Sequence, residues 1–162
     1  EAKLGQRLFE RLPTKLVVVA LRERDQAVVN FLNGEVGLSV QASCAIARVF
    51  APVKIGAERY LDADTLSPLP ASVARALGAQ RVIAVDVTAT EQSEPPDVPQ
   101  NWKARDRERR ANAAREHPNI DLLIHPDIGY YAPHSKAQIE RAIAIGEQAA
   151  KAALVSARSR SK

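Results

Sequence analysis

The chain has 162 residues, of which 46% are hydrophobic and 26% are charged, so it can bury one sizeable core and is not a disordered polypeptide. Its net charge of +4 is modest, because much of the excess lies in the last five residues and in the run 103–115. No apolar run reaches membrane-spanning length, and a single cysteine, Cys44, excludes an internal disulfide. We predict one domain over residues 1–155, a basic tail over 156–162, and a cytoplasmic or peripheral membrane location.

The chain starts at Glu1 and contains no methionine. We therefore expect an upstream segment that these residues do not include, and such a segment is where a targeting signal would lie.

The first half of the sequence predicts short strands around one helix. Residues 16–21 form a continuous apolar run rich in β-branched residues, typical of a central strand covered on both faces of a parallel sheet. Residues 27–32 predict a weaker strand, and the two strands are candidates for a hairpin. Residues 39–50 carry apolar side chains at helical spacing until Pro52 stops the pattern.

Two further short strands are predicted around Gly56, over residues 53–55 and 59–61. The second of them leads directly into Asp62-Ala-Asp64 and then into the corner Pro68-Leu-Pro70. The two aspartates are therefore expected at the end of a strand.

The second half alternates helices with strands, which indicates α/β architecture. The predicted helices cover residues 71–77, 102–115 and 135–154, and the predicted strands cover 81–87 and 120–124. Residues 89–100 are rich in proline and acidic residues, which predicts an exposed, mobile loop. The tail beyond Ser156 is expected to fray.

An ordered series of motifs resembles a known family. The series is Ala42-Ser-Cys-Ala-Ile-Ala-Arg-Val-Phe-Ala-Pro52, then Asp62-Ala-Asp64, then Ser67-Pro-Leu-Pro70, and then Ala74-Arg-Ala-Leu-Gly-Ala-Gln-Arg-Val-Ile-Ala-Val-Asp-Val87. In order and spacing it is similar to the C-terminal portion of the patatin-like phospholipases, including the bacterial branch related to neuropathy target esterase. The resemblance covers most of residues 12–154.

The resemblance implies a three-layer α/β sandwich with a mainly parallel central sheet. It also implies a lipid acyl hydrolase that uses a serine-aspartate dyad, in which Asp62 is the general base that accepts the serine proton. The substrate would be a phospholipid, a lysophospholipid or another ester, and no cofactor or metal is implied. The family's Gly-x-Ser-x-Gly turn is absent from these residues, so this chain alone is expected to be inactive.

Two departures from the family pattern bear on the site. Asp64 and Ala63 stand where the family has small, glycine-type residues, and Ala47-Arg48 replaces a Pro-Gly pair. The rival hypothesis is therefore a non-catalytic binding domain on the same scaffold, open to a partner chain or to self-association through an incomplete sheet.

Other residues have simpler interpretations. Asp62 by residue type alone suggests a turn cap or a solvated carboxylate, and Asp64 suggests the same. Two aspartates are too few for a hard cation. Structural interpretations are preferred for a set of further candidates: Ser43, Cys44 as a buried thiol, and His117, His125 and His134.

The charged run 103–115 is expected to be a solvated helix and not a nucleic-acid site, because Asp106 and Glu108 interrupt its arginines. With Trp102 beside it, an anionic membrane surface is the alternative contact for this run.

Overall fold

The computed structural model describes residues 7–131 and 134–160. The chain divides into two compact units, Glu1–Ser67 and Pro68–Lys162. The single domain predicted over residues 1–155 stays a prediction.

Unit 1 is built on a four-stranded antiparallel sheet in the order β2-β1-β4-β3. Its strands are β1 (Val18–Arg22), β2 (Ala27–Phe31), β3 (Val53–Ile55) and β4 (Glu58–Leu61). In the β1–β2 hairpin Val18 lies opposite Phe31 and Arg22 opposite Ala27, which confirms the predicted hairpin.

Tight turns set the direction of these strands. Between β1 and β2, Asp25 accepts a hydrogen bond from Arg22 Nε at 2.9 Å, and Gln26 adopts a φ of 56°. The Arg22 hydrogen bond lowers the pKa of Asp25. Between β3 and β4, Ile55 lies opposite Glu58, and Gly56 supplies the positive φ that a two-residue hairpin turn requires.

One helix, α1 (Val36–Ser43), packs against β1 and closes the core of unit 1. Val36 is 1% exposed and packs with Phe9 and Val18, while Ala42 packs with Ala20 and Tyr60. The small side chains of Ala20 and Ala42 let the helix approach the sheet closely.

The described residues of unit 2 form a two-stranded parallel sheet and three α-helices. The strands are β5 (Ile83–Val85) and β6 (Leu122–Ile124), and the helices are α2 (Ala71–Ala76), α3 (Gln100–Glu116) and α4 (Lys136–Arg160). In the sheet, Ile83 lies opposite Leu122 and Val85 opposite Ile124. A core of Leu69, Ala84 and Ala113 joins the sheet to α3.

Asp121 ties α2 to the start of both strands of this sheet. Its carboxylate accepts hydrogen bonds from the Val82 N–H at 2.6 Å and from Arg75 Nη2 at 2.5 Å. The Val82 hydrogen bond is the main reason that the pKa of Asp121 is lowered.

The predicted mainly parallel three-layer sandwich is wrong. The four strands of unit 1 are antiparallel, and among the described residues only β5 and β6 run parallel. The reason is connection length: a parallel crossover needs a dozen or more residues, whereas the turns after β1 and β3 have four and two.

Several predicted boundaries also differ from the structure. The helix predicted over residues 39–50 is wrong in its second half, because α1 runs over Val36–Ser43 and turns follow it. The strand predicted over residues 81–87 shortens to three residues, and α4 extends to Arg160, into the tail that was expected to fray. The last two residues of that tail lie outside the described residues. The loop over residues 89–100 is not wholly exposed, because Val98 is 5% exposed.

A partly buried hydrogen bond fixes the loop that follows β6 onto α3. Tyr130 donates its hydroxyl to Asp106 Oδ2 at 2.6 Å, and Asp106 is 5% exposed. Burial, followed by this hydrogen bond, raises the pKa of Tyr130 to about 12.

We predict that Tyr130→Phe lowers the free energy of unfolding by about 1.5–3 kcal/mol, because a buried carboxylate loses a donor. Since the folded-state pKa is raised, the contribution is complete below the unfolded value of about 10 and disappears as pH rises through about 12. Urea unfolding across this pH range checks both statements. The exposed Tyr131→Phe is the control, and equal losses in the two variants would contradict the assignment.

Candidate functional site

The predicted catalytic residue Asp62 directly follows β4 in unit 1. Its side chain is half-buried, and its backbone N–H donates to the Ala45 carbonyl at 3.0 Å. This bond joins the end of β4 to the turn that follows α1. The position agrees with the strand end predicted for it.

The carboxylate of Asp62 orders its own turn. Oδ1 accepts the backbone N–H of Asp64 at 2.8 Å, the arrangement by which an aspartate side chain mimics a backbone turn. The next turn is closed by Leu66 and Ser67, whose N–H groups both donate to the Ala63 carbonyl. The Asp64 side chain is exposed, so it is not packed into the core.

Small residues bring the two sides of this site together. Ala45 and Ala63 are each 3% exposed and pack with Leu21 and Leu61. Larger side chains at either alanine would force the turn after α1 away from β4 and break the Asp62–Ala45 hydrogen bond. Ala63 therefore has a packing role at this position.

An apolar turn lies next to this site in the sequence. We call residues 46–50 the apolar turn, because Ile46, Val49 and Phe50 are 47%, 66% and 57% exposed. The N–H groups of Val49 and Phe50 both donate to the Ile46 carbonyl, and Arg48 has a φ of 68°. The left-handed backbone at Arg48 explains why α1 does not continue through this segment.

Ser43 and Cys44, for which structural roles were predicted, lie where α1 ends. Ser43 is the last residue of the helix, and Cys44 follows it as the C-terminal cap, with its N–H donated to the Val40 carbonyl. Cys44 is exposed, so the prediction of a buried thiol is wrong. The helix ends seven residues before it was expected to, which is why this residue faces solvent.

In unit 2 a polar pair that the sequence interpretation did not join lies at the carboxyl ends of β5 and β6. Asp86 follows β5 and is 5% exposed, and His125 follows β6. His125 Nδ1 lies 4.0 Å from Asp86 Oδ2. The sequence signal that could have indicated this pair is a polar residue directly after each apolar run. If the two runs are neighbouring parallel strands, their carboxyl ends lie at the same edge of the sheet, so these two polar residues lie close together.

The geometry of this pair does not form a catalytic relay. His125 Nε2 lies 2.8 Å from the Thr88 carbonyl, which can only accept, so Nε2 carries the proton in the neutral ring. Asp86 also accepts the Thr88 N–H at 2.8 Å. In a catalytic relay the histidine nitrogen that faces away from the aspartate must be able to reach a nucleophile, and here that nitrogen, Nε2, is bound to the backbone. The pair therefore orders the segment after β5.

Neither remaining histidine joins these groups. His117 begins a short 3-10 turn after α3, and the His134 N–H donates to Gln138 Oε1 at 2.9 Å. Over residues 7–131 and 134–160, no group of three or more His, Cys, Asp or Glu side chains is arranged to hold a metal ion.

The basic residues of α3 are partly neutralised within unit 2. Glu94, whose side chain is 11% exposed, lies 3.6 Å from Lys103 Nζ and 3.3 Å from Arg110 Nη2. Arg105 contacts Asp106 at 3.0 Å and lies 5.5 Å from the centre of the Trp102 ring. These contacts reduce the charge that α3 offers to an anionic partner, and the absence of nucleic-acid binding stays a prediction.

No family model matches the chain. Among the helices of the described residues, none combines the length and the apolar character needed to cross a bilayer.

The exposure of Cys44 can be checked directly. We predict that its thiol reacts with a chromogenic disulfide reagent in the native protein at the rate of a small-molecule thiol, because solvent reaches it. We also expect Cys44→Ser to change the free energy of unfolding by no more than about 0.5 kcal/mol. A thiol that reacts only after denaturant is added would contradict this placement.

Proposed function

We propose that this chain is the aspartate-bearing part of a patatin-like serine hydrolase that cleaves the carboxylic esters of phospholipids or lysophospholipids. The observation that carries the proposal is the ordered motif series that includes Asp62-Ala-Asp64. The position of Asp62 supports it, because this half-buried carboxylate lies at a strand end, its backbone is fixed to Ala45 and its side chain is ordered by Asp64. A general base needs a fixed position relative to the hydroxyl that it deprotonates.

In this proposal the serine comes from a polypeptide segment outside the 162 residues, because no Gly-x-Ser-x-Gly sequence occurs among them. The serine hydroxyl attacks the ester carbonyl while Asp62 accepts its proton, and Asp62 then gives that proton to the oxygen of the alcohol or lysolipid as it leaves. Water then hydrolyses the acyl-serine, again with Asp62 as the base.

The apolar turn supports a docking position for that segment. Ile46, Val49 and Phe50 are exposed, and they follow Ala45, whose carbonyl holds Asp62. A segment covering these side chains would bury apolar area and place a hydroxyl beside the carboxylate. Peripheral contact with a lipid surface belongs to the same proposal, since the substrate lies in such a surface.

A second candidate is a non-catalytic binding domain. It is favoured by the exposed Asp64, which puts a negative charge where the family has a small residue, and by the turn role that the Asp62 carboxylate already has. This candidate predicts that the Asp62 carboxylate matters for folding alone.

The test is Asp62→Asn in the natively produced gene product, assayed for hydrolysis of a short-chain p-nitrophenyl ester. We expect a loss of about 10²–10⁴-fold in kcat with the fold retained, because asparagine keeps an oxygen to accept the Asp64 N–H but cannot act as the base. Asp64→Asn is the matched control and should keep most of the activity. Unchanged kcat in Asp62→Asn would refute the proposed role.

The isolated 162-residue chain should hydrolyse the same ester no faster than buffer. Turnover by this chain, lost on Cys44→Ser or Ser43→Ala, would show that the nucleophile lies within it and would contradict an external serine.

A further inference from the structure

The apolar strand β5 has an unpaired edge, on the side away from β6, and a solvent-exposed face. The even-numbered backbone groups around β5 point toward β6, since the Val82 carbonyl accepts the Leu122 N–H at 3.2 Å and the Asp86 N–H donates to the Ile124 carbonyl at 2.9 Å. In a parallel ladder alternate residues bond to one neighbour, so Ile83 and Val85 direct their backbone groups to the other edge. Within residues 7–131 and 134–160 no strand pairs with that edge.

The side chains of the same residues are unusually exposed for a parallel strand. Ile83, Val85 and Val87 are 61%, 56% and 48% exposed, whereas Ala84 on the opposite face is 9% exposed and packs in the core. Strands of parallel sheets are normally covered on both faces. An apolar depression of about 280 Å³, lined by the Pro68–Pro70 corner, α2 and β5, lies beside this edge.

An open strand edge restricts the kind of partner that can bind it more than an apolar face does. A row of alternating N–H and C=O groups is satisfied in full by another extended backbone, and β-branched side chains then pair across the strands. We propose that two copies of this chain associate through β5, edge to edge and antiparallel about a twofold axis. This inference concerns the chain by itself and does not rest on the proposed function.

The alternation of hydrogen-bonding groups fixes the register. The outward groups belong to odd-numbered residues, so an antiparallel twofold pair centred on Ala84 places Ile83 of one copy opposite Val85 of the other, in both directions. Ala84 faces its own equivalent, and Arg81 faces Val87. The contact is self-complementary, as a twofold interface must be, and it places no like charges opposite each other.

The first test is sedimentation of the chain across a concentration series, with the mass expected to rise from 17.6 kDa toward twice that value. Val85→Lys should raise the dimer dissociation constant by about tenfold, because lysine replaces the β-branched side chain that pairs across the strands with Ile83 of the other copy, twice in a twofold dimer. Val155→Lys is the matched control, since Val155 is 67% exposed on α4. A monomer at every concentration, larger open-ended assemblies, or equal effects of the two lysines would overturn the proposal.

The second test addresses the register and does not depend on a weakened dimer. In a Cys44→Ser background, an equimolar mixture of Ile83→Cys and Val85→Cys should form an intermolecular disulfide under mild oxidation. A mixture of Ile83→Cys and Val155→Cys is the control and should cross-link much more slowly. Equal rates for the two mixtures would rule out the β5 register.

Discussion

The hydrogen bond from the Asp62 N–H to the Ala45 carbonyl is the constraint on which the candidate site depends. It connects the end of β4 with the turn after α1, and it forms because Ala45 and Ala63 leave room for the two backbones to approach. The position of the Asp62 carboxylate, the exposure of the apolar turn and the exposure of Cys44 all follow from where this turn departs from the helix. A change that moved the turn would therefore alter all three together.

The same carboxylate has a structural role and a candidate chemical one. It closes the Asp62–Asp64 turn, which accounts for an aspartate at this position without any chemistry. The turn also fixes the carboxylate at the strand end, and a fixed carboxylate is what proton transfer requires. The two roles are separable by experiment because asparagine preserves the acceptor and removes the base.

Local sequence signals predicted the local structure well. The hairpin around Gly56 follows from a glycine between two short runs that contain strand-forming residues, and the end of α2 follows from Gly78, which adopts a φ of 94°. Residues 16–21 did not indicate whether β1 pairs with parallel or antiparallel neighbours. A continuous apolar run is compatible with a strand covered on both faces in either kind of sheet. The four-residue turn that follows was the better signal, since it permits only an antiparallel neighbour.

The remaining differences between the predicted and the observed structure depend on tertiary contacts. Apolar spacing extended the predicted helix through Phe50, yet the backbone at Arg48 turns left-handed and leaves Val49 and Phe50 in solvent. His125 lies near Asp86 only because β5 and β6 are neighbours, and their paired residues, such as Val85 and Ile124, are 39 positions apart in the sequence. No local pattern in the sequence indicates that these two strands pair. The catalytic assignment of Asp62 rests on the motif series, to which the structure adds position and hydrogen bonding.

The measurement that tests the central claim most directly is intact mass spectrometry of the natively produced gene product before and after a fluorophosphonate probe that labels activated serines. Our account predicts a parent heavier than 17.6 kDa that gains one covalent adduct, located on a serine outside these 162 residues. A product of 17.6 kDa that gains no adduct would contradict the account and favour the non-catalytic binding domain.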